Sequence, residues 1–272
     1  AQEWARAAFS TNVTPTLLGN TANKVMLSSF RSVNDVANIR RIAKKLSPND
    51  FKTHTGIRIT GDFRPLELGE GGKIKDTKMG EETNTWSVDT YAVRLGLTRQ
   101  MIVNDDLDAF VEIPRKFGRG AALKISDVFW AVVNGAEGTG FFASGNSNLD
   151  SSGAAVDNAG FKLAVNKLRV MKDANSNAID VTPKFWVGPV ALEGDADRMY
   201  QSHNLLATVL ASATSKLEGE VNIYRGRYQP VSSPWLDATD TGDWYMFADP
   251  ADVAAFGIAY LNGVETRPPR TE

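Results

Sequence analysis

The sequence predicts an α+β fold, and three observations carry that prediction. Apolar residues recur at helical spacing from Pro114 to Asn134, enough for a straight helix of about 30 Å at 1.5 Å per residue. Two runs, Thr55–Thr60 and Trp86–Leu97, alternate in strand fashion on either side of a long polar stretch. Short strand-like runs at 183–189, 221–231, 244–247 and 253–261 follow in the C-terminal half.

Taken in order, the chain starts Ala1-Gln2-Glu3-Trp4, as removal of an initiator Met or cleavage of a longer precursor would leave it. Residues 1 to about 20 mix Ala, Thr, Asn and Pro with weak periodicity and read as an extended arm, ordered by neighbours or not at all. Lys24 to Leu46 reads as helix, with a possible capping box of Ser32 and Asp35 marking a restart, and Ser47-Pro48-Asn49-Asp50 stops it. The two alternating runs frame GEGGKIKDTKMGEE, Gly69 to Glu82, so the pair predicts a long two-stranded ribbon with a polar tip. A hairpin of that kind is marginal by itself in water and calls for a surface outside its own domain.

A strand-like stretch then ends in Asn104-Asp105-Asp106, whose carboxylates read as caps of a short helical turn. Pro114 is placed in the first turn of the long helix, where its missing N–H removes no helical bond. Phe117, Ala121, Ile125, Val128, Phe129 and Val132 form its expected buried stripe. Gly118 and Gly120 each weaken the helix by roughly 1 kcal/mol, which suggests a close backbone or a bend. Further on, Phe161, Ala164, Val165, Leu168 and Met171 mark another helix, 183–189 a short buried strand, and Ala191–Ser202 a helix with Glu193, Asp195 and Asp197 near its positive end. His203 to Glu220 reads as an exposed excursion and Gly263 to Glu272 as an extended tail.

Composition narrows the function classes. The chain has 272 residues, 42% hydrophobic and 23% charged, which describes a globular protein of one large domain or two. No run reaches the 18 apolar residues of a membrane helix. It has no cysteine, which excludes disulfides and thiolate metal sites. A net charge of −2 argues against a protein built to grip nucleic acid. Only His54 and His203 are present, with no HExxH spacing and no G-x-S-x-G elbow. The glycine cluster lacks the phosphate-loop spacing, and Asp237, Asp240 and Asp243 are three apart, unlike calcium-loop ligands, and read as a solvated turn. No catalytic, cofactor-binding or metal residue is therefore assigned, and the expectation is not an enzyme.

From Arg99 to Leu149, the wording IVNDDL-x-AF-x-x-IP-x-x-FG-x-x-A resembles the major capsid proteins of tailed bacteriophages, most of all Mu-type head subunits, including those encoded as fusions to a prohead protease. The likeness is good over about 50–149 and returns at WYMFADP (Trp244–Pro250) and at Gly257–Gly263. Where related subunits have Phe-x-x-x-His-x-Asn-Leu after the long helix, this chain has Phe142, Asn146, Asn148 and Leu149, so no role of that His carries over.

The resemblance implies a division into an N-terminal arm and helix (1–50), an extended β-hairpin loop (51–98), a peripheral domain with a long spine helix (99–182), an axial domain (183–250) and a C-terminal return strand and tail (251–272). It implies intersubunit contacts through Trp4, Arg6 and Phe9 of the arm and through Gly69, Glu70, Gly71, Gly72, Lys73, Lys75 and Lys78 of the loop. It favours cleavage as the origin of Ala1. The implied function is a structural subunit that forms hexamers and pentamers and closes an icosahedral head around double-stranded DNA, assembled in the bacterial host cytoplasm. The implied partners are further copies, a portal, scaffolding or protease proteins, and DNA held weakly and non-specifically, with no membrane. An encapsulin-like shell is the alternative of the same fold, and a soluble hydrolase or carbohydrate-binding protein the alternative of another class.

Overall fold

A computed structural model describes residues 14–265, apart from 62–63, 66, 69, 75, 77–78, 94–108, 137–139, 152, 174–176 and 207–218. It is mixed helix and sheet. Helix α1 (Thr14–Arg31) leads through a break into α2 (Asn34–Ile42), a short strand β1 (Lys44–Leu46) and the ribbon strands β2 (His54–Gly61) and β3 (Met79–Trp86). The long helix α3 (Ala109–Gly135) and α4 (Asn158–Arg169) follow. Next come β4 (Pro183–Gly188), α5 (Glu193–Gln201), β5 (Asn204–Leu206), β6 (Gly219–Val221) and β7 (Gln229–Ser232). A single-turn α6 (Pro234–Asp237), β8 (Tyr245–Ala248) and β9 (Gly257–Ala259) complete the order. No helix among the described residues is long and apolar enough to cross a membrane.

The expected arm is partly helical, because α1 already begins at Thr14; residues 1–13 lie outside the described set. The break between α1 and α2 falls where Ser32 and Asp35 suggested it, but not through a capping box. Val33 occupies the N-cap position without a side-chain cap, and the Ser32 hydroxyl donates back to the Ser29 carbonyl at 2.7 Å. Asp35 is buried and accepts the indole N–H of Trp130 at 2.9 Å, a tertiary use that removes it from the cap.

Helix α3 starts five residues before Pro114, which therefore sits inside the helix, not in its first turn. The buried face is also rotated from the expected stripe. Pro114, Gly118, Ala122, Ser126, Phe129, Trp130, Val133 and Ala136 are buried, whereas Ala121, Val128 and Val132 are exposed. The cause is helix–helix approach: α1 crosses α3 so closely that a Cβ on Gly118 would lie 2.1 Å from the Met26 carbonyl oxygen. Small residues mark the line of closest contact, and an apolar count passes over them. Beside this crossing the Ser29 hydroxyl donates to the Arg115 carbonyl at 2.7 Å.

Strand β4 is the hub. It runs parallel to β7 and antiparallel to β8, giving the order β7-β4-β8. Covered on both faces, it reads as a nearly continuous apolar run. Phe185 and Val187 join Ile39, Ile42, Phe129, Trp130, Val133, Leu236 and Phe247 in one core. Trp186, pointing the other way, joins Phe161, Ala196, Met199, Tyr224 and Tyr228 in a second. The expected strand at 221–231 is split, since β6 ends at Val221 and a turn over 223–227 precedes β7. Parallel pairing of β9 with β1, extended by Tyr260 N–H to the Leu46 carbonyl (3.0 Å) and Asn262 N–H to that of Pro48 (2.7 Å), ties the C-terminal part to the end of α2.

Candidate assembly surface

The ribbon is built from eight cross-strand pairs, His54↔Trp86 at its root to Gly61↔Met79 at its far end. Its second strand is Met79–Trp86, not the expected Trp86–Leu97: residues 87–93 continue without strand pairing among the described residues, and 94–97 lie outside them. Alternation in a sequence reports a pleated stretch but not its partner. Register is set instead by the turn that joins the strands.

Pairing places Thr55, Ile57, Ile59, Gly61, Met79, Glu81, Thr83 and Thr85 on one face of the ribbon. Ile57 and Ile59 are each 61% exposed and Met79 is 70% exposed, so the apolar part of that face stays mostly bare among the described residues. The ribbon's main packing is strand on strand.

One contact closes its root and another ties it to the body. At the root, the His54 imidazole stacks on Trp86 at 4.7 Å between ring centroids, and its Nε2 lies 2.9 Å from an Asp50 carboxylate oxygen. Farther out, the Arg64 guanidinium donates to the Ala178 carbonyl at 2.8 Å. Beyond β3, the ammonium of Lys124 on α3 lies 5.0 Å from the centre of the Tyr91 ring.

Of the residues expected at subunit contacts, Glu70, Gly71, Gly72 and Lys73 are described, and all four are exposed at the ribbon's tip. Glu70 and Gly71 form a turn in which Gly71 has φ of 81°, a left-handed backbone that glycine adopts without a Cβ penalty. Gly69, Lys75, Lys78, Trp4, Arg6 and Phe9 lie outside the described residues. The exposed isoleucine face, absent from the expected contact set, was visible as the alternation of Ile57 and Ile59 with Arg58 and Thr60.

The remaining polar groups serve the fold. His203 Nδ1 lies 3.2 Å from the Arg225 guanidinium. Asp237 does not lie in a merely solvated turn: its carboxylate accepts the N–H groups of Val190 (2.8 Å) and Ala191 (3.1 Å) at the entry to α5. Asn146, standing where relatives were expected to carry His, donates to the Gly140 (2.6 Å) and Phe141 (3.0 Å) carbonyls and stitches the loop after α3. Among the described residues, no group of three or more His, Cys, Asp or Glu side chains could hold a metal ion.

Comparison with known proteins adds one finding. The family model described as phage capsid protein matches residues 81–272, more than two thirds of the chain. Neither a curated protein nor a solved structure matches the chain.

Proposed function

The chain belongs to the phage capsid protein family, and from that premise we propose that its copies join as hexamers and pentamers and close into an icosahedral head around double-stranded DNA. It is a structural protein of the virion. The observation that carries the finer reading is the ribbon, which leaves Ile57, Ile59 and Met79 mostly exposed on one face among the described residues. A solitary hairpin of this length is marginal, and an apolar face left in water is unfavourable by about 25 cal/mol per Å². Docking on a neighbouring copy removes both penalties.

In this reading the subunit is of the Mu type. Residues 1–50 are arm and helix, 51–98 the extended loop, 99–182 the peripheral domain with α3 as its spine, 183–250 the axial domain and 251–272 the return strand and tail. The loop residues 69–73, 75 and 78 and the arm residues Trp4, Arg6 and Phe9 meet neighbours. A portal, together with scaffolding or protease proteins, takes part in assembly in the host cytoplasm. A net charge of −2 supports a shell that DNA slides past and is not gripped by.

Electron microscopy of the purified chain at high concentration tests the reading. Closed angular shells built on five- and six-membered rings are expected. A monodisperse monomer at every concentration and salt condition would exclude it.

A further inference from the structure

A cleft of about 430 Å³ opens at the N-terminal end of β4. Val165 and Arg169 from the end of α4, Thr182 and Pro183, and Tyr224, Arg227 and Tyr228 from the turn before β7 line it, with Ile223 at its rim. Its polar side chains can all donate, although its hydroxyls also accept, and Arg227 is hydrogen-bonded to the Tyr228 phenol. Two guanidiniums have only N–H groups to offer. The phenol rings of Tyr224 and Tyr228 stand 5.9 Å apart over Phe161, and burial pushes both phenols up from their ordinary pKa, keeping their O–H groups intact.

Arg169 shares Asp180 at 3.4 Å, a pair with both side chains more than half exposed and therefore weak. Arg227 has no carboxylate partner among the described residues. Arg225, the third arginine nearby, is occupied by the Gln201 carbonyl (2.9 Å) and His203. Donors beside apolar Val165, Pro183 and Ile223 suit a carboxylate on a short apolar stem, which the planar guanidinium fork grips in bidentate fashion.

At the other end of β4, the first turn of α5 carries Glu193 and Asp195, both exposed, with Asp197 half-buried behind them. Among the described residues Asp195 pairs with Arg198 alone, one turn on, at 3.2 Å and in solvent. Helix α5 runs back along β4 and its end meets the cleft turn, where the Gly226 N–H donates to the Tyr200 carbonyl at 3.0 Å. The first-turn carboxylates stand about 7–11 Å farther along the helix axis, and among the described residues neither pairs with Arg169 or Arg227. A cleft of one sign and a turn of the other, on different ends of one sheet, are complementary between copies and not within one. Such a heterologous contact closes a ring when the rotation closes.

We propose that the Arg169–Arg227 cleft is an intersubunit socket that receives the Glu193–Asp195 turn of a second copy and so joins subunits head to tail around the capsomer. This rests on the shell reading above. An extended phosphate backbone is the poorer occupant, because a recessed pair of arginines beside Asp180 is not the continuous basic track that nucleic acid selects.

The full-length chain tests it by charge reversal with rescue, assembly being followed by sedimentation velocity and electron microscopy and fold by circular dichroism and melting. Arg169→Glu with Arg227→Glu is expected to lower the assembled fraction about tenfold or more. Glu193→Arg with Asp195→Arg, at exposed positions and with the fold checked by the same melts, is expected to do the same. The four substitutions together restore assembly. Folded subunits that assemble normally with either charge-reversed pair, or that stay dispersed when all four are present, would overturn the socket. So would variant shells that close normally but hold less DNA, which assigns the arginines to phosphate. If the unaltered chain forms no rings at all, the shell reading fails and this contact with it; normal wild-type shells with indifferent variants sink the contact alone.

Discussion

Gly118 shows how much one missing Cβ decides. The carbonyl oxygen of Met26 occupies the space where a side chain would begin, so α1 and α3 meet backbone to backbone. Gly118→Ala is expected to destabilise the subunit by about 1–3 kcal/mol through overpacking that backbone cannot relieve. Two positions on, nothing lies within 4 Å of a Cβ on Gly120, and Gly120→Ala should stabilise by up to about 1 kcal/mol through helix propensity. Urea melts of both variants check the opposite signs; a shared sign would remove the close crossing as the cause. The buried phenols give a second residue-level prediction. Burial raises Tyr260 well above the ordinary tyrosine range, and Glu265 beside it adds to the effect; Tyr224 and Tyr228 are raised by burial as well. A raised folded-state pKa means the unfolded chain releases those protons first. Stability is therefore complete below about pH 10, the unfolded value, and falls as pH rises above it. Thermal midpoints measured from pH 8 to 12 should decline beyond that point, and less steeply in Tyr260→Phe.

At the scale of elements, the long helix is defined by the face it buries. Phe129 is 6% exposed and packs edge-on against Trp130 at 5.2 Å, whereas Val132 is 59% exposed. Phe129→Ala should cost about 3–5 kcal/mol, and Val132→Ala should stay within about 0.5 kcal/mol in the isolated subunit. Equal losses at the two sites would contradict the observed rotation of the helix. The ribbon behaves in the opposite way, contributing little to its own subunit. Removing Glu67 to Met79 is expected to leave circular dichroism and the melting point of the monomer close to those of the full chain while abolishing closed shells. Normal particles from that deletion would show that the ribbon is not an assembly element.

At the scale of the whole molecule, two apolar cores share one central strand, and a parallel β1–β9 pair joins the segment after α2 to the C-terminal part. The subunit holds itself together through these, which leaves ribbon and cleft free for neighbours. Shell cohesion is then expected to be non-covalent. Lys73 is exposed, and an amine able to attack an amide must first be desolvated and lose its proton. Particles boiled in denaturant should run as one band near the 29.6 kDa chain mass. A ladder of multimers would show that subunits are crosslinked.

The sequence by itself determined the mixed class, the family, the C-terminal end of the long helix near Asn134 and Gly135, the buried strand over 183–188 and the existence of a ribbon. These follow from local signals: period, turn residues and motif wording, all readable without knowing what lies across the gap. Only the tertiary structure decided the rest. Asp35 was assigned to a cap by its spacing from Ser32 but is turned inward by an indole 95 residues away. The buried stripe of α3 follows Gly118, Ala122 and Ser126, because backbone approach by α1 rewards small side chains that hydrophobicity ranks low. The ribbon's second strand is the polar Met79–Trp86, because a hairpin pairs whatever its turn brings into register. Arg169 and Arg227, 58 positions apart, share a cleft only because β4 carries the end of α4 and the turn before β7 to the same edge. Periodicity is a property of one segment, whereas closeness is a property of two, and that is where reading along the chain ends.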